Sequence, residues 1–329
     1  MLRSISFGPD FDCFCCATDQ GLVVLNSDPL KVVCRVDFGG SLQAAEPIFR
    51  CSLVALVAGG ERPAFAENKV LIYDVCLQKI VIELNLPSKV VGVKVNRHRI
   101  VIILEYQIQV FSFSDIPEFL IYFDTAFNPR GICELSHCES ELLAFPSVVN
   151  GHVSVCRLNQ DKIRTTTIRA HQHAIQALAA NQNGSLIATA SIKGTLVRVF
   201  NSLSGHMLYE FRRGSQNALI SSINFSKDSA YLCVCSNHST IHLFSLFEAL
   251  ESSLLKKFFT LKGRPSQIRI HLGNENKSQN DTLRTQAGFM GNSLVVVGAD
   301  GSFSRYDRST ATQFSCEIRR DLLEMISSK

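Results

Sequence analysis

Seven times along this chain a short apolar run closes on an apolar or aromatic residue followed by a polar one. The marks are Leu25-Asn26, Tyr73-Asp74, Phe111-Ser112, Cys156-Arg157, Phe200-Asn201, Phe244-Ser245 and Tyr306-Asp307. Consecutive marks lie about 38–48 residues apart, apart from a longer last interval, and that period is the length of one four-stranded propeller blade. A small-residue turn and a strand precede each mark, as in Ala17-Thr18-Asp19-Gln20-Gly21 and Gly298-Ala299-Asp300-Gly301. Such turns are hairpin chemistry between consecutive strands of one blade. The expectation is an all-β chain, a single seven-bladed β-propeller over residues 1–329. The Trp-Asp dipeptide of ordinary WD40 blades is missing, because the chain has no tryptophan.

Composition narrows the function. With 46% hydrophobic and 19% charged residues the chain can bury a large core. A net charge of +4 is too weak to indicate nucleic acid, so an anionic partner must be recognised locally. No apolar run approaches the roughly 18–20 residues of a membrane span, and MLRSISFGPDFDC lacks a signal-peptide core. The expectation is a cytosolic chain whose membrane contact is peripheral. Twelve cysteines include the cluster Cys13, Cys15, Cys16 and the pair Cys233, Cys235, all within alternating apolar segments. Without two paired CxxC motifs or a His-spaced set they read as buried free thiols, neither zinc ligands nor disulfides. No metal and no cofactor is expected.

The long last interval holds an insertion. Residues 246–264 are amphipathic, with Phe247, Leu250, Leu254, Phe258 and Leu261 recurring at helical steps. Glu248 and Glu251 sit early and Lys256 and Lys257 late, which suits a helix dipole. Residues 273–286 are polar and read as a mobile loop. Arg319-Arg320-Asp321-Leu322-Leu323-Glu324-Met325 reads as a short terminal helix.

The chemistry concentrates on Phe211-Arg212-Arg213-Gly214, set between two similar hairpins, ATASIKGTLVRVF (188–200) and VCSNHSTIHLF (234–244). Ser191 and Thr195 flank the first turn, and Ser236 and Thr240 flank the second at the same spacing. Successive side chains of an extended strand point to opposite faces, so Arg212 and Arg213 should serve two different pockets. One guanidinium with a Ser and a Thr hydroxyl suits phosphate oxygens. Thr189 shares a face with Ser191, Gly194 lets the backbone approach a ligand, and Arg198 in an apolar strand demands a partner. No acid lies in that hairpin to provide one. Thr240 and His242 again share a face.

These residues, together with NKVLIYD (68–74), NPRG (128–131), LLAFP (142–146), KGTLVRVF (193–200) and NFSKDSAYLCVCS (224–236), resemble the PROPPIN family of phosphoinositide-binding propellers. The resemblance covers nearly the whole chain. It implies a first phosphoinositide site of His171, Thr189, Ser191, Gly194, Thr195, Arg198 and Arg212. A second would hold Arg213, Gly214, Ser236, Thr240 and His242. The implied ligands are membranes carrying phosphatidylinositol 3-phosphate and the 3,5-bisphosphate. The insertion after the sixth-blade hairpin falls where the family carries a membrane-inserting loop, with Leu254, Leu255, Phe258 and Phe259 as apolar wedges. Asn237-His238-Ser239 departs from the turn common in relatives, as does Ile192 from a frequent Glu. Asp10 matches an acidic position that shorter family members use to bind the rod-shaped lipid-transfer protein of autophagy, whereas Gly8 departs from the family Asn. The implied function is a non-enzymatic effector of autophagosome formation, recruited from the cytosol to pre-autophagosomal and endosomal membranes. The alternative is a propeller adaptor that binds only proteins. No Gly-rich phosphate loop, nucleophile with a His–carboxylate pair, or metal set supports an enzyme.

Overall fold

The computed structural model describes residues 1–48, 52–137, 139, 141–160, 162–238, 240–246, 267–271, 285–298, 300–308 and 314–327. They form two compact units, one built mainly of Met1–Gly131 and the other mainly of Ile132–Gln279 and Arg284–Arg319. The first unit contains three four-stranded antiparallel sheets, spanning residues 2–37, 42–85 and 90–124. The second contains the fourth to seventh sheets, spanning 134–169, 175–212, 220–271 and 286–321, the last crossing into the other unit's segment. Within every sheet the four strands lie side by side in chain order. All seven sequence marks fall at or near the end of a third strand. At two marks the polar member holds the following turn. Asp74 Oδ1 accepts the amides of Cys76 and Leu77 at 2.8 and 3.0 Å, and Asn201 Oδ1 those of Leu203 and Ser204 at 3.0 and 2.9 Å.

Burial explains the composition of each strand. Second strands such as Leu53–Ala58 (LVALVA) and Tyr231–Ser236 (YLCVCS) are buried on both faces past their first residue, so they read as continuous apolar or small-residue runs. Fourth strands such as Leu30–Asp37 alternate half-buried and exposed positions. Apolar clusters lie between consecutive sheets of a unit. Ala188, Ala190, Val197, Val199 and Phe211 of the fifth sheet pack on Ile220, Leu232, Val234 and Phe244 of the sixth. Cys233 and Cys235 look the other way, into a cluster with Leu294 and Val296 of the seventh. The ten described cysteines are free thiols, and burial pushes the Cys156 thiol up to about 12. The chain end differs from expectation. Arg319, Arg320 and Asp321 complete the strand Phe314–Asp321, and helix α1 (Leu322–Ser327) starts only after it, with Asp321 Oδ1 accepting the Leu323 amide at 2.7 Å. Among the described residues no helix is long and apolar enough to cross a membrane.

Two hairpin glycines join neighbouring sheets. Gly151, at φ +80°, lies in the hairpin between the second and third strands of the fourth sheet. Its carbonyl accepts the amides of Ala170 and His171 at 3.1 and 2.9 Å, in the link to the fifth sheet. Gly194, at φ +60°, occupies the equivalent hairpin of the fifth sheet and presses on Ala218 in the link to the sixth. A Cβ on Gly151 would lie 2.1 Å from His171 O, and one on Gly194 would lie 1.9 Å from Ala218 O. Both contacts are impossible without displacing backbone. Gly151→Ala is therefore expected to destabilise the protein by about 1–3 kcal/mol. Gly214→Ala, where a Cβ meets nothing within 4 Å and φ is not positive, should leave stability within about 0.5 kcal/mol of wild type. Denaturant midpoints of the two variants check the contrast.

Candidate phosphate-binding site

The fifth sheet consists of Ile175–Ala180, Leu186–Ser191, Leu196–Asn201 and Met207–Arg212. Its register sets what each face carries. Thr189 lies opposite Arg198, Arg198 opposite Glu210, and Leu196 opposite Arg212. Cross-strand partners share a face, so Thr189, Ser191, Leu196, Arg198, Glu210 and Arg212 all look towards the fourth sheet. Phe211 looks towards the sixth.

On the first face a cavity of about 1020 Å³ opens between the fourth and fifth sheets. His171, Ser191, Thr195 and Arg198 line it. Thr189 is fully buried behind them, its hydroxyl 2.9 Å from His171 Nε2; it positions the imidazole. Burial, followed by the positive field of Arg198, pulls the His171 pKa down to about 4, so the ring is neutral near pH 7. Arg198 has the partner its location demands. Its Nε and Nη2 each lie 2.8 Å from Glu210 Oε2, and Nη1 donates to Ala170 O at 2.6 Å. The carboxylate comes from the fourth strand rather than from the hairpin, directly opposite in register. Arg198 thus enters the cavity as half of an ion pair. Arg212 stands exposed at the edge of the same face, opposite Leu196, and among the described residues its guanidinium has no hydrogen-bond or ion-pair partner.

The second face behaves differently. Arg213 is 6% exposed, and its Nε and Nη2 donate to Gly194 O at 2.7 Å and Gln216 O at 2.5 Å. Desolvation lowers its pKa. Two of its five N–H donors thus hold the neighbouring turn. Ser236, Thr240 and His242 sit on the sixth-sheet face that meets this side, aligned with Val234 and Phe244 of the shared cluster. Ser236 and His242 are buried and Thr240 is half-buried. His242 continues an aromatic column: its ring lies 6.2 Å from Phe244, which stacks on Phe211 at 4.7 Å. Gly214 is half-buried with open space beside it.

The cavity has further polar walls outside the residues singled out from sequence: His152, Arg169, His173 and Lys193. His152 lies opposite Arg169 on adjacent strands of the fourth sheet. Arg169, His171 and His173 alternate in sequence, a period-two signal that would have grouped them. Asp10 lies in the first unit, half-buried in the turn between the first two strands, where Phe11 N donates to Gly8 O at 3.0 Å. Leu254, Leu255, Phe258 and Phe259 fall outside the described residues, as do most of the 246–264 and 273–286 segments. Leu246 is described and buried in the cluster between the fifth and sixth sheets.

Known proteins share this architecture. The solved structure of Kluyveromyces lactis Hsv2 superposes with a TM-score of 0.81 over 98% of this chain and 99% of its own, at 21% identity. The seven sheets are therefore the blades of a seven-bladed β-propeller. The "SVP1-like protein 2" of Saccharomyces cerevisiae is 33% identical over 281 residues, covering 74% of this chain and 62% of the relative. "Autophagy-related protein 18" of Dictyostelium discoideum is 36% identical over 254 residues, covering 76% of this chain and 66% of the relative. The chain thus spans less than two thirds of the length of these two relatives. A family model described as PROPPIN matches residues 4–292, and the chain belongs to the PROPPIN family.

Proposed function

We propose that this protein binds phosphatidylinositol 3-phosphate and the 3,5-bisphosphate in membranes through two sites on opposite faces of the fifth blade. It acts as a non-enzymatic effector of autophagosome formation, recruited peripherally from the cytosol to pre-autophagosomal and endosomal membranes. The observation that carries this reading is the exposed, unpartnered guanidinium of Arg212 beside a cavity walled by Arg169, Lys193, Arg198 and His171. Arg212 supplies the free charge at the first site, with Ser191 and Thr195 as hydroxyl ligands, and Thr189 positions the neutral His171 as a hydrogen-bonding wall. At the second site Arg213 lends its remaining donors beside Gly214, with Ser236, Thr240 and His242 opposite. Leu254, Leu255, Phe258 and Phe259 serve as the membrane wedge of the inserted loop. The turn holding Asp10 docks the lipid-transfer protein of autophagy.

A purely protein-binding adaptor is the second reading. Its support is the fourth strand of the third sheet, Phe119–Asp124, where Phe119, Leu120 and Tyr122 are exposed. Such a strand offers an apolar edge to a partner.

Arg212→Thr alone should keep the fold and weaken binding to 3-phosphate vesicles about tenfold, because one of two linked sites is lost. Adding Arg213→Thr should abolish binding. The second change also strands Gly194 O and Gln216 O, so it should lower stability by about 1–3 kcal/mol, and thermal unfolding must accompany sedimentation. A folded double variant that still sediments like wild type would remove both arginines from the site, and a wild type that does not sediment would leave the adaptor reading.

A bound phosphate raises the pKa of His171 from its depressed value of about 4, so the complex takes up a proton that the free protein does not hold. Protonation then favours binding as pH falls. His171→Gln cannot take up this proton. The ratio of wild-type to variant head-group affinity should therefore grow as pH is lowered from about 7 to about 5. Using the ratio cancels titration of the phosphate itself. A ratio of one across that window removes His171 from the site, and a constant ratio above one leaves it there as a neutral hydrogen-bonding wall.

A further inference from the structure

The hairpin tips around the two sites are tied into one ledge by backbone hydrogen bonds. His171 N donates to Gly151 O at 2.9 Å, joining the fourth-sheet tip to the link behind it. Ile192 N donates to Ala174 O at 3.0 Å, and Ala218 N to Lys193 O at 3.1 Å, carrying the ledge across the fifth-sheet tip. Leu219 N donates to Asn237 Oδ1 and Asn237 N to Leu219 O, both at 3.0 Å, reaching the sixth-sheet tip. Four aliphatic side chains ride on this ledge into solvent: Val148 at 60% exposure, Val149 at 53%, Ile192 at 50% and Leu219 at 53%. Turn tips ordinarily carry Gly, Asn, Asp or Ser, so this apolar series has no turn-forming purpose.

We propose that this ledge is a second bilayer-contacting surface, one that seats Val148, Ile192 and Leu219 among the lipid acyl–headgroup boundary while the pockets hold phosphate. The inference rests on the lipid-binding reading above. Three observations select a bilayer over a protein. The apolar series is continuous with the cationic cavity, since Val149 and Lys193 both line its mouth. Lys193 lies next to Ile192, the pairing of aliphatic wedge and cation that favours an anionic interface. The exposed residues are branched aliphatics with no aromatic or arginine anchor of the kind that dominates protein interfaces. The hydrogen-bonded backbone beneath them means that insertion orders nothing new, which keeps its entropic cost low.

The test compares wild type with V148S/I192S/L219S, three exposed positions outside both pockets. Sedimentation uses phosphatidylcholine vesicles containing phosphatidylinositol 3-phosphate, and calorimetry uses soluble inositol 1,3-bisphosphate. The expected result is a loss of about tenfold on vesicles with unchanged affinity for the soluble head group. Because the chain has no tryptophan, Val148→Trp gives a single reporter that should shift to the blue on these vesicles and be quenched by brominated lipid. Leu203→Trp, 71% exposed in the turn between the third and fourth strands of the fifth sheet, should stay unquenched. A triple variant equal to wild type on vesicles overturns the proposal. So does a triple variant whose soluble head-group affinity falls in step, or a bound Val148→Trp protein that is not quenched. Wild type that fails to bind the vesicles sinks the lipid-binding reading itself, and the ledge with it. Should the triple variant not fold, the two tryptophan reporters decide alone.

Discussion

No sheet in this protein can cover its own apolar faces, and that deficit organises the rest. A four-stranded sheet has middle strands buried from both sides only if another sheet lies against each face. The run LVALVA can stay in water-free surroundings only because Leu22 and Cys15 flank one side and Val93 and Ile100 the other. Packing face to face brings the hairpin ends of successive sheets together. The close approaches at Gly151 and Gly194 follow from that stacking. So does the placement of polar residues from two sheets around a shared cleft.

The same stacking decides the fate of charge. Two adjacent arginines in one strand end meet opposite environments. Arg212 stays in solvent with its donors uncommitted, whereas Arg213 turns inward and spends two donors on carbonyls of its own turn. Under the proposed lipid-binding reading, removing Arg213 would therefore disturb structure and ligand contact together, and removing Arg212 would disturb only the second. Arg198 illustrates a third outcome. A strand guanidinium half-covered by a neighbouring sheet is tolerated because Glu210 and the Ala170 carbonyl satisfy it. Its charge is largely neutralised before any ligand arrives.

The sequence carried the repeat well because each mark reports local chemistry. Apolar alternation makes the third strand, and at Asp74 and Asn201 the polar residue at its end makes the next turn. The split of Arg212 from its neighbour was equally legible, since strand alternation needs no tertiary knowledge. Less legible was anything that depends on register between strands. Glu210 lies opposite Arg198 only because of where the third and fourth strands pair, and a bulge between Val199 and Phe200 shifts that pairing locally. The cavity walls His152 and Arg169 belong to another sheet altogether, and no spacing within the two hairpins flanking Arg212 and Arg213 could have called them in. The start of helix α1 was missed by three residues because the basic pair Arg319-Arg320 reads equally well as an exposed edge strand or a first helical turn.

Placing one guanidinium on each face of a single blade has a consequence for how the protein would count lipids. The two proposed pockets are separated by a sheet that cannot stretch, so both would fill only when two head groups arrive within one fixed span. Occupancy of the pair then rises with roughly the square of lipid surface density where each site alone is weak. A membrane carrying sparse marks would be nearly invisible, and one only modestly richer would be covered. With both proposed pockets filled in this way, the thickness of the fifth blade would act as a density threshold.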